Sequence, residues 1–165
     1  LAWAQTEQYV VDGAIEPKYT HAFSNESGCA GAALTRNKAG GRFPDIYQRF
    51  PYWFCENMKR YSVDAGQIAN APFDQHYLLA AIAPRKVYVA SAVQDQWADP
   101  VSEYLCCAAS SSVWQMLGKT GFCNPDVLPQ PEDRFAQGDI GYHLRSGTHF
   151  LSRYDWVRFC EFLKK

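Results

Sequence analysis

Three residues of this sequence have the types and the chain order of a proton relay: Glu26, Asp95 and His149. An alcohol at neutral pH is a poor nucleophile, so attack on a carbonyl needs an imidazole to take its proton. The imidazole in turn needs a carboxylate that holds its tautomer and balances the imidazolium. Each of the three follows a stretch that reads as a strand. Residues 19–24 (YTHAFS) run into Glu26, residues 86–92 (KVYVASA) into Asp95, and residues 140–144 (IGYHL) lead toward His149. In open parallel sheets, active-site groups gather just beyond the carboxyl ends of the strands.

Each candidate also has a structural reading. Glu26 can bond the backbone amides of the small-residue turn after it, and His149 can be a surface-loop histidine. Asp99 beside Pro100 is accounted for as a helix cap, which leaves Asp95 as the freer carboxylate. Trp97 comes straight after a strand end, next to Asp95, and reads as ligand-facing. Trp53, in FPYWF, fits a ligand surface and a core equally well, whereas Trp114 and Trp156 fall at helical core spacings. His143 reads as packed or hydrogen-bonded, His76 as a structural hydrogen-bonder near a helix start, and His21 as part of a strand. The His143/His149 separation fits no helix face and no cysteine cluster supports it, so no metal is expected.

The elements that must position these groups alternate between two periods. Residues 86–92 are short, β-branched and apolar throughout, as in a parallel strand buried on both faces. A helix is predicted over residues 74–82, capped by Asp74 and stopped by Pro84. A second runs from the Asp99 cap and Pro100 to about residue 117, where Gly118 ends it. A closing amphipathic helix is predicted over residues 154–165, with Trp156, Phe159, Cys160 and Leu163 facing inward. Residues 119–138, rich in Pro, Asp and Gly, read as a long loop. Strands alternating with helices argue for an α/β architecture.

Composition removes several classes of function. The 165 residues are 47% hydrophobic and carry a formal net charge of −1, with no basic run, so neither nucleic acid nor an anionic membrane is an expected partner. No stretch approaches the roughly 18 apolar residues of a membrane span. The six cysteines form no CxxC pair, which excludes zinc-ribbon and thioredoxin-type sites and leaves disulfides or small buried residues. Five Trp and ten Tyr suit a carbohydrate-facing surface. No repeat or linker divides the chain, so residues 1–165 are read as one domain or part of one.

A carboxylate followed by a histidine is the order that an α/β-hydrolase shows after its nucleophile. Six strings make the likeness specific: SNESGCAGAALTR (24–36), FPYWF (50–54), FDQHYLLAAIAPR (73–85), DQWADP (95–100), YHLRSGTH (142–149) and YDW (154–156). In order and approximate spacing they resemble carbohydrate esterase family 15, the glucuronoyl esterases, over nearly all of the chain after about residue 12. The resemblance implies the C-terminal portion of an α/β-hydrolase fold, a three-layer sandwich of parallel strands and flanking helices, incomplete here. It implies hydrolysis of the ester between xylan glucuronate and a lignin alcohol by a Ser-His-Asp/Glu mechanism without cofactor, in a secreted or periplasmic protein. His149 matches the family's histidine, Glu26 and Asp95 its two alternative acid positions, and Trp97 its uronate-lining indole.

The departure from the family pattern is the nucleophile. Its Gly-x-Ser-Arg-x-Gly-Lys string, counted back without gaps, falls on LAWAQTE, where Trp3 takes the serine position, and no Gly-x-Ser-x-Gly occurs elsewhere. The expectation is therefore a fragment whose N-terminal half, with the nucleophile, is missing, and which is inactive alone. The alternatives are a non-catalytic carbohydrate-binding relative and an acetyl or feruloyl esterase of the same fold.

Overall fold

Lys86–Ala92 is apolar on both sides of its pleat. Val87 and Val89 point to one face, Tyr88 and Ala90 to the other, and all four are buried. Such a strand needs a helical layer above and below it. Both layers are present in the computed structural model, which describes residues 2–4, 18–36, 39–63, 65–124 and 126–165. The strands are β1 (Ala2–Ala4), β2 (His21–Asn25), β3 (Lys86–Ala92), β4 (Arg134–Phe135) and β5 (Ile140–Arg145), in the spatial order β1-β2-β3-β5-β4. All neighbours pair in parallel except β4, which is antiparallel to β5 at the edge.

The helices are α1 (Phe43–Arg49), α2 (Glu56–Ser62), α3 (Ala65–Ala69), α4 (His76–Ala80), α5 (Pro100–Met116) and α6 (Arg153–Leu163). On one face, Tyr104, Cys106, Cys107 and Trp114 of α5 pack with Val87, Val89, Ile140 and Tyr142. On the other, Phe159 and Phe162 of α6 pack with Phe23, Tyr88 and Ala90. Each such large side chain contributes about 1.5–3 kcal/mol by leaving water. A third cluster, built on Cys29, Phe43, Ile46, Ile68 and Ala71, joins the short helices to the segment after β2.

The three-layer α/β architecture, β3 and α5 follow the sequence reading. Asp99 caps α5 by accepting from the Ser102 amide at 3.1 Å, with Pro100 at the first helical position. Four expectations need correction. Asp74 does not cap α4; its carboxylate accepts from the Thr35 amide and hydroxyl at 2.8 and 2.9 Å and so holds a distant turn. The inward face of α6 is Asp155, Phe159 and Phe162, whereas Trp156, Cys160 and Leu163 are exposed, because Asp155 has partners in the core. Within residues 119–138 lie the edge strand β4 and a bridge from Phe122 to Ile140. Trp3 is mid-strand in β1, in register with Phe23, and not at a strand-to-helix turn; residues 1 and 5–7 of the gapless count lie outside the described residues.

Candidate active site

The parallel register places the ends of β2, β3 and β5 at one edge of the sheet, and the three relay candidates meet there. His149 Nδ1 lies 2.7 Å from Asp95 Oδ2 and 3.4 Å from Glu26 Oε2. Asp95 sits in the turn after β3 and also accepts from the Ala98 amide at 3.2 Å through Oδ1. Glu26 follows β2 directly, with φ of +50°, a left-handed conformation that a non-glycine residue holds only when its surroundings impose it. The Glu26 amide donates to Ala90 O at 2.8 Å, and the Gly28 amide to the buried Glu103 of α5 at 3.0 Å. These two bonds fix the turn that aims Glu26 at the imidazole.

Exposure separates the three groups. The carboxylates are buried, while 57% of the His149 side chain is open to solvent. Nδ1 donates to Asp95, and among the described residues Nε2 has no hydrogen-bond partner. That tautomer leaves the Nε2 lone pair free to accept a proton. The hydrogen bond to Asp95 raises the basicity of His149, against its partial burial. Burial pushes the Glu26 carboxyl up to about 8, although Arg145 and His149 pull it down. A protonated Glu26 leaves Asp95 as the carboxylate that balances an imidazolium.

Asp155, an acid that the sequence reading passed over, supports this edge from below. It accepts from Arg145 Nε at 3.0 and 3.1 Å and from His143 Nε2 at 2.8 Å, and caps α6 with Ser152. Burial pushes Asp155 up, but the hydrogen bonds from His143 and Ser152 outweigh it and hold the carboxyl below its ordinary value. His143 is structural, as expected: fully buried, it also meets the Tyr88 hydroxyl at 3.1 Å. His21 lies in β2. His76 corrects the sequence reading, since its buried Nδ1 has no hydrogen-bond partner among the described residues; the ring packs on Tyr77 with centroids 4.4 Å apart.

A cleft of about 350 Å³ opens over the three groups, lined also by Ile46, Trp53 and Trp97. Both tryptophans are about half exposed, so neither is a core residue. Trp97 packs so closely on Gly41 that a Cβ there would come within 2.4 Å of the indole, and the Arg49 guanidinium lies 4.8 Å from its ring centroid. Trp53 stacks on Phe50, with centroids 4.4 Å apart. One donor atom each from Glu26, Asp95 and His149 fall within 4.8 Å of one another, a spread that a small cation can bridge. The 2.7 Å contact is shorter than the roughly 3.3 Å between ligands of a tetrahedral zinc, so an ion would have to prise the hydrogen bond open.

Residues 6–118, which include Glu26 and Asp95, match the family described as glucuronyl esterase, fungi. The chain belongs to the glucuronoyl esterase family. It is 40% identical over 150 residues to carbohydrate esterase MZ0003 from an unknown prokaryotic organism, covering 91% of this chain and 34% of that protein. It is 32% identical over 116 residues to the 4-O-methyl-glucuronoyl methylesterase of Podospora anserina, covering 66% of this chain and 24% of the relative. Among solved structures, a promiscuous CE15 esterase from a marine bacterial metagenome superposes with a TM-score of 0.89 at 37% identity, over 96% of this chain and 38% of that one. The glucuronoyl esterase of Solibacter usitatus gives 0.86 at 39% identity, over 96% and 39%. The chain thus spans about a third or less of the curated relatives it matches.

Proposed function

We propose that His149, Asp95 and Glu26 are the base and acids of a serine-type esterase that cleaves esters of glucuronic acid, such as those joining xylan glucuronate to lignin alcohols. The 2.7 Å bond from His149 Nδ1 to Asp95, with Nε2 free at the mouth of the cleft, carries the reading. In such an enzyme Nε2 takes the proton of the serine hydroxyl as the oxygen adds to the ester carbonyl. It then gives the proton to the departing alcohol, and water repeats the sequence to release the acid. Asp95 is the main acid and Glu26 the second. Trp97 and Trp53 contact the sugar. The reaction needs no metal or organic cofactor.

The nucleophile has to come from a Gly-x-Ser-Arg-x-Gly-Lys segment of a longer esterase, of which this chain is the C-terminal portion of the hydrolase domain. Its polymeric substrate places that esterase outside the cell or in the periplasm; among the described residues no helix is long and apolar enough to cross a membrane. Joining the segment to this chain, together with the preceding half of the domain, should give hydrolysis of a methyl glucuronate ester that His149→Ala abolishes. The chain as it stands should give none. Hydrolysis by the unsupplemented chain would sink the serine mechanism and force a search for another nucleophile.

Two half-exposed tryptophans on one cleft also favour a second reading, a carbohydrate-binding relative without catalysis. A restored protein that binds glucuronoxylan oligosaccharides and hydrolyses no ester would select it. A restored protein that prefers acetyl or feruloyl esters over glucuronate esters would keep the mechanism and change the substrate.

A further inference from the structure

Arg145 closes β5 with a nearly fully buried side chain, where a charged residue is costly unless each donor is matched. Each of its three guanidinium nitrogens has an acceptor. Nε donates to both oxygens of Asp155 at 3.0 and 3.1 Å. Nη2 donates to Glu26 Oε1, to Thr148 O at 3.1 Å and to Phe150 O, and Nη1 donates to Ser146 O at 3.0 Å. The Phe150 ring covers one face, its centroid 4.4 Å from the guanidinium carbon. Gly147, with φ of +106°, passes so close that an added Cβ would lie 3.1 Å from Nη1.

The three carbonyls come from residues 146, 148 and 150, which bracket His149 in the loop after β5. That loop has no regular secondary structure of its own, and its winding around one planar cation gives it a fixed shape. Arginine suits the task because its donors sit in a rigid fork, whereas lysine offers one rotating ammonium. The same fork reaches Glu26 across 119 residues of sequence.

We propose that Arg145 is the positioning residue of the site, holding the His149 loop by its carbonyls so that Nδ1 meets Asp95, with the Glu26 carboxyl anchored on the same fork. It touches no reacting atom and acts through His149. The assignment rests on the reading of His149 as the base, yet the bond it protects can be observed in this chain without catalysis.

The test is Arg145→Lys in the chain as it stands, read by the downfield proton resonance of the Nδ1–H bonded to Asp95. Lysine keeps the charge and removes the fork, so a change reports geometry. The expected result is a folded protein in which that resonance is lost, while Glu26→Gln, which leaves Asp155 and the loop carbonyls in place, retains it. A folded Arg145→Lys variant with the resonance intact overturns the proposal. So does a variant that does not fold, because Arg145 then supports the sheet as a whole, and so does loss of the resonance in Glu26→Gln, which makes Glu26 the holder. In the restored esterase, Arg145→Lys should lower kcat by about 100-fold with KM little changed, the scale of a misplaced catalytic group. A restored protein inactive on every ester would defeat the esterase reading and leave the resonance test of Arg145 standing.

Discussion

The two halves of the cleft are built in opposite ways. The acid–base half grows out of the sheet: Glu26 and Asp95 are buried, and Asp155, Arg145 and Glu103 brace them from within the core. The aromatic half is looser: Trp53 stacks on Phe50, Trp97 leaves the turn after β3 to lie on Gly41 and Arg49, and both are half exposed. Under the proposed function the contrast makes sense, since proton transfer tolerates little misplacement whereas contact with a sugar tolerates more. Damage to the first half should therefore cost rate or stability, and damage to the second should cost selectivity.

The largest expected effect is on the acid–base half of the restored esterase. Asp95→Asn should lower kcat by about 10³–10⁴-fold, the scale seen when an imidazole loses its orienting acid. Glu26→Gln should cost far less, and comparable losses would make the two acids equal partners. Next is stability. Asp155→Ala leaves Arg145 and His143 buried without their carboxylate, and removing one partner of a buried pair costs about 3–5 kcal/mol. Denaturant unfolding of the chain reads this directly; a loss below about 1 kcal/mol would mean water replaces the carboxylate.

On the aromatic half, Trp97→Ala should weaken turnover of glucuronate esters by about 10-fold relative to acetyl esters, with folding unaffected, as expected for one lost hydrophobic contact. Equal losses on both substrates would move Trp97 from binding to support of the fold. The remaining effect is on pH. The Glu26 carboxyl is held at about 8, above its ordinary 4.5, so the fold favours its neutral form. That contribution to stability is complete below the ordinary value and is lost as pH rises through about 8. Between about pH 5 and about pH 9, Tm should fall further in the parent chain than in Glu26→Gln. Parallel curves would mean that Arg145 keeps Glu26 ionised throughout.

The sheet-borne half was the more legible in sequence, and for a physical reason. Continuous apolarity marks β3, and the Asp99–Pro100 pair marks α5, which puts Asp95 and Trp97 in the turn between the two. The helices α1 to α3 gave no signal, because segments of five to seven residues are held by packing of Phe43, Ile46 and Ile68 and not by their own periodicity. The face of α6 was misjudged because an apolar stripe cannot announce a buried Asp155. Arg145 was overlooked for the same reason: a charge at a strand end reads as solvated until Glu26 and Asp155 are seen on either side of it. Both residues lay inside the strings that carried the family resemblance, YHLRSGTH and YDW, and that was the available signal.

The central claim is that His149 is held by Asp95 with Nε2 free to act as base, and the nitrogen-15 spectrum of that imidazole tests it most directly. Above its titration midpoint, in the chain as it stands, Nδ1 should carry the proton and Nε2 the lone pair, and Asp95→Asn should abolish that preference. A ring protonated at Nε2, or a tautomer ratio indifferent to Asp95, would contradict the account.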